Sequence, residues 1–411
     1  MNHFYPANIL LPKDADMYRW AVIACDQFTS DLAYWQRVRR QVGDAPSTLH
    51  MILPEAELGG DEASRVSAIN GAMVSYQQQG VFTEYPNAYI YVERTLQNGM
   101  IRPGLLGMVD LEAYDYHPGS ESAIRATEKT VLERIPPRQR IRKDASVEFP
   151  HVLMLCDDHE KVLIEPIAAQ KNALPRVYDF DLMEDGGHIT GWLLDGQAAK
   201  TFNDRLTAYA ETYEAKYADL DGAKVLFAVG DGNHSLATAK SCYEALKQAH
   251  PNEDLSAHPA RYALVELENI HDPSLVFEPI HRIVTDVDVQ ALLAAVEAEC
   301  AADGFEIEYV TAQSRGKLYL DKTKGELAVA VLQEALDAYL AEHSGEIDYI
   351  HGDEEVAQLA RQENAVGFLL PAMEKGQLFR GVISRGVLPR KTFSMGHARE
   401  KRYYLEGRKI Q

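Results

Sequence analysis

The hydrophobic and polar positions along the chain indicate a mixture of strands and amphipathic helices. Short apolar or alternating runs predict strands at residues 20–25, 46–54, 87–92, 104–111, 151–156, 226–229 and 261–268, and a further short apolar run ends just before His281. Apolar residues spaced three or four apart predict helices after residue 30 and at 62–79, 196–218 and 288–303. The elements do not follow a regular βαβ alternation, so the predicted fold class is α+β (mixed α/β).

One stretch combines a strand, a glycine turn and a helix start. The apolar run ending at Val229 is followed by Gly230-Asp231-Gly232-Asn233, and a helical pattern begins at Ser235. The free N–H groups and the positive dipole end of such a helix favour an anion, most often a phosphate. Asp231, Asn233 and His234 would face this space. The alternative is an ordinary strand-to-helix turn in which Asp231 or Asn233 is the N-cap.

Composition and charge narrow the possible partners. The 411 residues are 46% hydrophobic and 25% charged, and the formal net charge is −21. This acidity argues against nucleic acid and anionic membranes, which are bound mainly through Lys and Arg. It leaves room for an anionic small ligand in a local basic pocket. The four cysteines lie far apart in the sequence, so neither a zinc site nor a disulfide framework is expected.

The chain also lacks a run of about 18 apolar residues and a basic-then-apolar start, so we expect a cytoplasmic protein without a membrane partner. Its length suggests two or three domains. We expect an N-terminal mixed region at 1–120, a region at 121–250 that carries the glycine turn, and a C-terminal mixed region at 251–411. The sequence leaves the oligomeric state open, including a homo-oligomer.

Other polar residues follow predicted strands or lie in loops. They are Asp26, Glu128 with the basic stretch 134–143, the pair His281 and Arg282, and the pair Arg390 and Lys391. Phosphoryl transfer needs phosphate clamps, usually a metal, and a carboxylate that takes the acceptor's proton, and this set contains each type of group. A metal site that uses Asp231 and His234 is a second possibility, and a solvated charged segment is the ordinary interpretation of the basic stretch. No Walker A, G-x-G-x-x-G, HExxH or GxSxG motif is present.

Several of these segments occur in the same order as in a known bacterial family. The loop ending at Asp26 and the segments at 47–55, 125–130, 230–234, 279–282 and 388–394 together resemble the family of domain of unknown function 1015. The family's central Asp-Gly-His-His-Arg motif is similar to that of the ParB-like nucleotide-binding fold, which sulfiredoxin and free-serine kinases share. The resemblance therefore implies a ParB/sulfiredoxin-like core with additional mixed α/β segments before and after it.

The resemblance also implies roles for individual residues. Asp231 and His234 match the motif directly, and Glu128 would be the base that takes the acceptor's proton. Asp231 would bind Mg²⁺ or orient the acceptor, and His234 would hold phosphate. Two positions differ, because Asn233 replaces the first His and Ser235 replaces the Arg, which removes a bidentate phosphate grip. The phosphate- and substrate-binding set is then Asp26, Gly230, Gly232, Asn233, Ser235, His281, Arg282, Arg390 and Lys391.

These observations lead to three hypotheses. The first is a nucleotide-dependent kinase that uses ATP or ADP with Mg²⁺ and phosphorylates a small hydroxyl compound such as L-serine. The second is a catalytically inactive nucleotide- or metabolite-binding regulatory protein of the same fold, which the Ser235 difference would permit. The third is a purely structural protein, for which ligands would not stabilise the fold. Ligand binding without turnover would distinguish the second hypothesis from the first.

Overall fold

The computed structural model describes residues 2–58 and 61–411. Its strands are Phe4–Tyr5 (β1), Ala7–Pro12 (β2), Val22–Ile23 (β3), Phe82–Thr95 (β4), Ile101–Asp110 (β5), Tyr114–Asp115 (β6), Ile124–Ala126 (β7), Val147–Glu148 (β8), Leu153–Cys156 (β9), Arg176–Asp181 (β10), His188–Leu194 (β11), Phe227–Asp231 (β12), Tyr262–Asn269 (β13), Phe277–Pro279 (β14), His281–Thr285 (β15), Gly304–Val310 (β16), Arg315–Asp321 (β17), Glu346–Ile350 (β18), Val366–Leu369 (β19), Phe393–Met395 (β20), Tyr403–Tyr404 (β21) and Arg408–Lys409 (β22).

The helices alternate irregularly with these strands. They are Met17–Trp20 (α1), Leu32–Val42 (α2), Glu62–Gln78 (α3), Ile135–Arg142 (α4), Glu165–Ala168 (α5), Gly196–Lys216 (α6), Asn233–Ala249 (α7), Val289–Glu297 (α8), Ala328–Glu342 (α9), Asp353–Leu359 (α10) and Lys375–Arg385 (α11). The predicted mixed α/β class is therefore confirmed. Within the described ranges, no helix is long and apolar enough to cross a membrane.

The chain divides into two units. Unit 1 contains Met1–Ala126, Thr130–Leu275 and His397–Gln411, and unit 2 contains Thr127–Lys129 and Val276–Gly396. Unit 2 is thus largely an insertion between two parts of unit 1. These boundaries do not coincide with the three regions expected from the sequence.

The main sheet of unit 1 has apolar cores on both faces. Its strands run in the order β10-β11-β4-β5-β13-β9-β12-β7-β6, and β1 and β2 pair with β5 and β4. Because side chains alternate along a strand, Tyr89 and Tyr91 of β4 join one core, whereas Ile90 and Val92 join the other. The alternation of aromatic and aliphatic residues at 87–92 therefore reflects two cores.

The segment His397–Gln411 completes unit 1. Its strand β21 pairs with β3, and its strand β22 pairs with β8. The buried indole of Trp20 donates a hydrogen bond to the carbonyl oxygen of Leu405 at 2.9 Å. This segment therefore contributes both strands and hydrogen-bond acceptors to the unit that contains the beginning of the chain.

Unit 1 also buries a charged network around Arg402. The Arg402 Nε atom lies 2.9 Å from Glu266 Oε2, and Nη2 pairs with Glu406. The Tyr178 hydroxyl donates to Glu406 Oε1 at 2.5 Å. All of these side chains are buried. Because an unpaired buried charge is strongly destabilising, removing Arg402 or one of its glutamate partners should destabilise unit 1.

Unit 2 has its own five-stranded sheet, in the order β17-β16-β19-β15-β18, and β14 pairs with β20. Ile283, Val310 and Val356 belong to a small core beside this sheet. Unit 2 therefore has secondary structure and an apolar core of its own.

One predicted element is wrong and two are shorter than predicted, one of which is the helix expected at 288–303, since α8 ends at Glu297. Residues 46–54 do not form a strand; Thr48–Met51 is a 3₁₀ turn, because the Ser47 and Thr48 hydroxyls donate to the Trp20 carbonyl oxygen and hold the chain in a bend. The predicted strand at 20–25 is reduced to Val22–Ile23, since the preceding helix extends to Trp20. The helices predicted at 62–79 and 196–218 agree with α3 and α6.

Candidate functional site

The glycine turn lies between β12 and α7, as the sequence predicts. β12 pairs in parallel with β7 and antiparallel with β9, which fixes the end of the strand in the main sheet. Gly232 follows with a φ of +82° and is the N-cap of α7, without a side-chain cap. The predicted N-caps Asp231 and Asn233 are therefore wrong: Asp231 still belongs to β12, and Asn233 is the first residue of the helix.

Gly232 is required by space as well as by conformation. A Cβ atom at this position would lie 3.0 Å from Val152 Cα and 3.4 Å from His151 Cδ2. The left-handed backbone would add strain for any other residue. The turn thus packs closely against the start of β9, and this packing brings His151 beside it.

Replacing Gly232 with alanine is expected to lower the free energy of unfolding of unit 1 by about 1–2 kcal/mol from backbone strain, with a further cost from the contact with Val152. Gly71→Ala on α3 is the matched control, because a Cβ there meets nothing within 4 Å and alanine favours a helix. Urea unfolding followed by tryptophan fluorescence measures both, since Trp20, Trp35 and Trp192 all lie in unit 1. Equal stability of the two variants would contradict the prediction.

Asp231 is paired with a lysine from the far end of the chain. Lys401 Nζ lies 3.5 Å from Asp231 Oδ2, and the lysine side chain is 12% exposed. The main chain on either side of Lys401 is held by Arg94, whose guanidinium donates to the carbonyl oxygens of Arg399 and Lys401 at 2.5 Å each. A buried arginine on β4 therefore positions the lysine that meets the glycine turn.

Asp26 belongs to the same surroundings. His151 Nε2 lies 3.6 Å from Asp26 Oδ2, and His151 Nδ1 lies 2.7 Å from the Tyr404 hydroxyl, which contacts Cys25 Sγ at 3.1 Å. Burial acts to raise the pKa of Asp26, but the His151 imidazole, its hydrogen bond and the charge of Lys401 outweigh burial and hold this pKa below its ordinary value. Asp26 and Asp231 are thus two carboxylates influenced by the same lysine.

Cys25 is not a nucleophile in this arrangement. Burial and the charge of Asp26 raise the pKa of its thiol to about 11. A thiol of this pKa remains protonated at neutral pH, and only the thiolate is strongly nucleophilic.

The first turn of α7 presents three polar side chains. His234 Nε2 accepts a hydrogen bond from the Val131 N–H at 3.2 Å. The Asn233 Oδ1 atom is buried, and no group in the described ranges donates to it. Ser235, the third residue of the helix, lines a neighbouring cavity. The turn therefore combines uncapped helix N–H groups with an amide oxygen that lacks a donor.

The basic stretch 134–143 does not form an unpaired positive pocket. Arg138 pairs with Glu55, Arg140 with Glu62 at 2.5 Å, and Arg142 with Glu148 at 2.5 Å. The side chain of Arg134 lies outside the part of the chain that the structure describes. Most of the predicted local excess of positive charge is therefore balanced by glutamates from other elements.

The remaining predicted site residues lie in unit 2. His281 Nε2 lies 2.8 Å from Asp353 Oδ1, and the Leu370 N–H donates to His281 Nδ1 at 3.0 Å. Arg282 is fully buried, and its guanidinium donates to the carbonyl oxygens of Arg390 and Lys391 at 2.9 Å each. Arg282 therefore holds the 390–391 loop through its main chain.

Glu128 forms a bridge with Leu388 in unit 2. Burial lowers the pKa of Arg282 to about 10, and the charges of Tyr349 and Glu128 act in the opposite direction. Glu128 is thus close to Arg282 in unit 2, whereas Asp26, Gly230, Asp231, Gly232, Asn233, His234 and Ser235 are in unit 1. The roles predicted for all of these residues stay predictions.

Sequence reasoning missed Lys401 and His151. Neither residue belongs to a motif, and each lies far in the chain from the residues it meets. His151 stands at the start of a predicted strand, but nothing in its spacing indicates that it would adjoin Asp26. The pairing of the next strand along the chain, β9 after His151 and β21 after Lys401, supplies this information.

These features define a mixed α/β protein with a glycine turn between a central strand and a long helix. A family model described as "Protein of unknown function (DUF1015)" matches residues 4–366. The chain belongs to this family, as the order of its motifs predicts. No match was found among curated proteins.

Several solved structures are distantly similar. SbnI with a C-terminal truncation from Staphylococcus aureus has 11% sequence identity and a TM-score of 0.36, and the match covers 71% of this chain and 82% of that chain. Free serine kinase in complex with AMP has 10% identity and a TM-score of 0.35, with 74% of this chain and 90% of that chain covered. A conserved hypothetical protein from Pyrococcus furiosus has 10% identity and a TM-score of 0.33, with 74% of this chain and 94% of that chain covered. These TM-scores are too low to support an argument, so the assignment of the chain to its family depends on the family model alone.

Proposed function

We propose that unit 1 binds a nucleotide through its phosphates at the β12–α7 turn and transfers a phosphoryl group to a small hydroxyl compound. The observation that carries this proposal is the start of α7: the helix begins at a glycine without a side-chain cap, beside the buried Asn233 oxygen that lacks a donor. Uncapped N–H groups at the positive end of a helix dipole favour a phosphate. An amino or hydroxyl group of the ligand would satisfy the amide oxygen.

The charged residues around the turn support the same function. Lys401 is a largely buried cation next to Asp231 and provides positive charge in a protein whose net charge is −21. His234 would hold a phosphate oxygen through a ring nitrogen. Asp231 is a candidate to take the proton of the acceptor hydroxyl, whereas the lowered pKa of Asp26 makes that carboxylate a weak base that stays negatively charged.

A magnesium ion fits this arrangement only together with the nucleotide. Among the described residues, no group of three or more His, Cys, Asp or Glu side chains could hold a metal ion. Mg²⁺ is commonly bound through one or two carboxylates plus substrate phosphates, so Asp231 would supply a protein ligand and the nucleotide would supply others. The ion would neutralise phosphate charge. Both ATP and ADP satisfy this requirement.

The first test measures binding and turnover separately. The protein is incubated with Mg²⁺, either ATP or ADP, and a panel of small hydroxyl compounds that includes L-serine, and products are identified by mass spectrometry. Nucleotide binding is measured by calorimetry and by thermal stabilisation, which should reach about 2.7 kcal/mol at a hundred times the dissociation constant. Binding with a phosphorylated product is the expected result. Binding without any product supports the regulatory alternative, and absence of binding contradicts the proposal.

Replacing Lys401 with methionine is expected to weaken nucleotide binding by about tenfold or more, because a charge-assisted hydrogen bond contributes about 1.5–3 kcal/mol. Lys409→Met is the matched control: this lysine lies in the same C-terminal segment, pairs with Glu84 and is 48% exposed. Calorimetric titration with ADP would measure both variants. A similar loss of affinity in both would contradict a specific role for Lys401.

A further inference from the structure

Unit 1 contains a mainly apolar cavity next to the glycine turn. Its volume is about 150 Å³, and it lies between the Thr48–Met51 turn, α4, the start of β9 and α7. Apolar side chains form most of the wall, including Met51, Leu53, Met73, Ile141 and Phe149. Ser235 in the first turn of α7 also lines it, so the cavity adjoins the proposed phosphate site.

The polar side chains of the wall are nearly all occupied. Arg138 is paired with Glu55, and Arg142 is paired with Glu148, so the two arginines bring no net charge. The Thr238 hydroxyl donates to the carbonyl oxygen of His234 at 2.7 Å.

Tyr404 contacts His151 and Cys25, which also line the cavity. The Ser235 hydroxyl, by contrast, makes no hydrogen bond to any part of the chain that the structure describes. The cavity thus offers one open hydroxyl, at the end that adjoins the phosphate site.

We propose that this cavity binds the acceptor of the phosphoryl transfer, and that the acceptor is a neutral alcohol with a compact apolar body. The inference rests on the proposed function for the reaction, but the binding itself does not require it. A cavity of about 150 Å³ lined by apolar side chains accommodates a molecule the size of benzene. The acceptor therefore has about six to eight non-hydrogen atoms.

The same wall disfavours a free amino acid such as L-serine. Its ammonium and carboxylate groups would leave water, and the arginines and glutamates that could receive them already pair with each other. A neutral alcohol has only its hydroxyl group to remove from water, and the Ser235 hydroxyl can replace the hydrogen bond to water that this group loses. The acceptor class inferred from the cavity thus differs from the substrate that the family resemblance first suggested.

Ser235 both lines the cavity and belongs to the first turn of α7, so it is the residue proposed to hold the alcohol next to the phosphates. The alcohol oxygen, held at Ser235, would attack the terminal phosphorus of the nucleotide bound at the same turn. A new P–O bond forms, the bond between this phosphorus and the bridging oxygen of the nucleotide breaks, and the hydroxyl proton passes to a carboxylate. The products are a phosphate monoester and the nucleotide shortened by one phosphate.

The test measures binding without nucleotide. Primary alcohols from 1-butanol to 1-nonanol, benzyl alcohol and L-serine are compared by calorimetry. Affinity is expected to rise about fourfold with each methylene until the cavity is full, near the length of 1-pentanol to 1-heptanol, and then to fall. L-serine is expected not to bind. Absence of binding by every alcohol, or binding of L-serine alone, would overturn the inference.

Two variants of the cavity wall, Met73→Ala and Ala239→Val, and one control, Met154→Ala, assign the binding to this cavity. Met73→Ala enlarges it and should move the preferred alcohol to a longer chain, whereas Met154→Ala, buried in the other core of unit 1, should leave the preference unchanged. Ala239→Val on the cavity wall should move the preference to a shorter chain, which keeps the test informative if Met73→Ala does not fold. Equal shifts in the Met73 and Met154 variants would overturn the assignment.

The outcomes also separate this inference from the proposed function. Alcohols that bind but are not phosphorylated in the presence of ATP or ADP would leave the cavity ligand established and refute the kinase proposal. Phosphorylation of L-serine by a protein that binds no alcohol would support the kinase proposal and refute the inference about the cavity.

Discussion

Asp231→Asn is expected to lower the rate of phosphoryl transfer by about 10²–10⁴-fold, the contribution that a positioned proton-transfer group typically makes. The substitution keeps the shape of the side chain but removes the charge that faces Lys401 at 3.5 Å. It also removes the carboxylate proposed to bind the metal ion. The amide can neither accept the hydroxyl proton nor balance the lysine, so the loss should appear mainly in kcat.

The fold should tolerate this change. The Asp231 side chain is partly exposed, but Lys401 is largely buried and loses its charged partner, so the free energy of unfolding should fall by about 1–3 kcal/mol. The product is quantified by mass spectrometry, and urea unfolding checks the fold. Asp221→Asn, at an exposed position in unit 1, is the matched control. An Asp231→Asn variant that retains the wild-type rate would refute the proposed role of Asp231 in phosphoryl transfer.

Arg402→Met is expected to destabilise unit 1 by about 3–5 kcal/mol. Methionine approximates the length of the arginine stem but leaves Glu266 and Glu406 buried without their cation. Burying an unpaired carboxylate is costly, and Tyr178 can satisfy only one of the oxygens involved. For a unit of this size, the loss corresponds to a Tm lower by roughly 2–4 °C for each kcal/mol.

Tryptophan fluorescence during urea unfolding is the appropriate measurement, because it reports unit 1. Arg19→Met is the control: Arg19 lies 3.4 Å from Asp16, and both side chains are about half exposed, so this pair should contribute little. The double substitution Glu266→Gln and Arg402→Met removes one of the two carboxylates left without a cation, so it should recover part of the loss. A single variant as stable as the Arg19 control would show that the buried network is not required.

Local patterns predicted the long elements well. The helix at 196–218 corresponds to α6, Gly196–Lys216, because its apolar positions repeat with the helical period over many turns. The glycine turn was also predicted, since Gly-Asp-Gly-Asn after a buried strand leaves few conformations. The segment 46–54 was wrong because its bend is caused by hydrogen bonds to Trp20, which a local pattern does not contain.

The candidate site was only partly predictable for the same reason. The sequence analysis selected Asp26 and Asp231 because each comes directly after a short apolar run. Lys401 and His151 have no local signal, and strand pairing and the carbonyl contacts of Arg94 bring them to the turn. The basic stretch at 134–143 is paired with Glu55, Glu62 and Glu148, which are distributed along the sequence. Charge counted along the sequence could not show this pairing.

The return of residues 397–411 to unit 1 determines the order in which the protein can fold during synthesis. Domains generally fold as units, from the N-terminus, while the chain is being made. Here the partner strands of β3 and β8 are translated only after all of unit 2. Unit 2 can therefore reach its native structure first, whereas unit 1 remains incomplete, with Lys401 absent from the glycine turn, until its last segment leaves the ribosome.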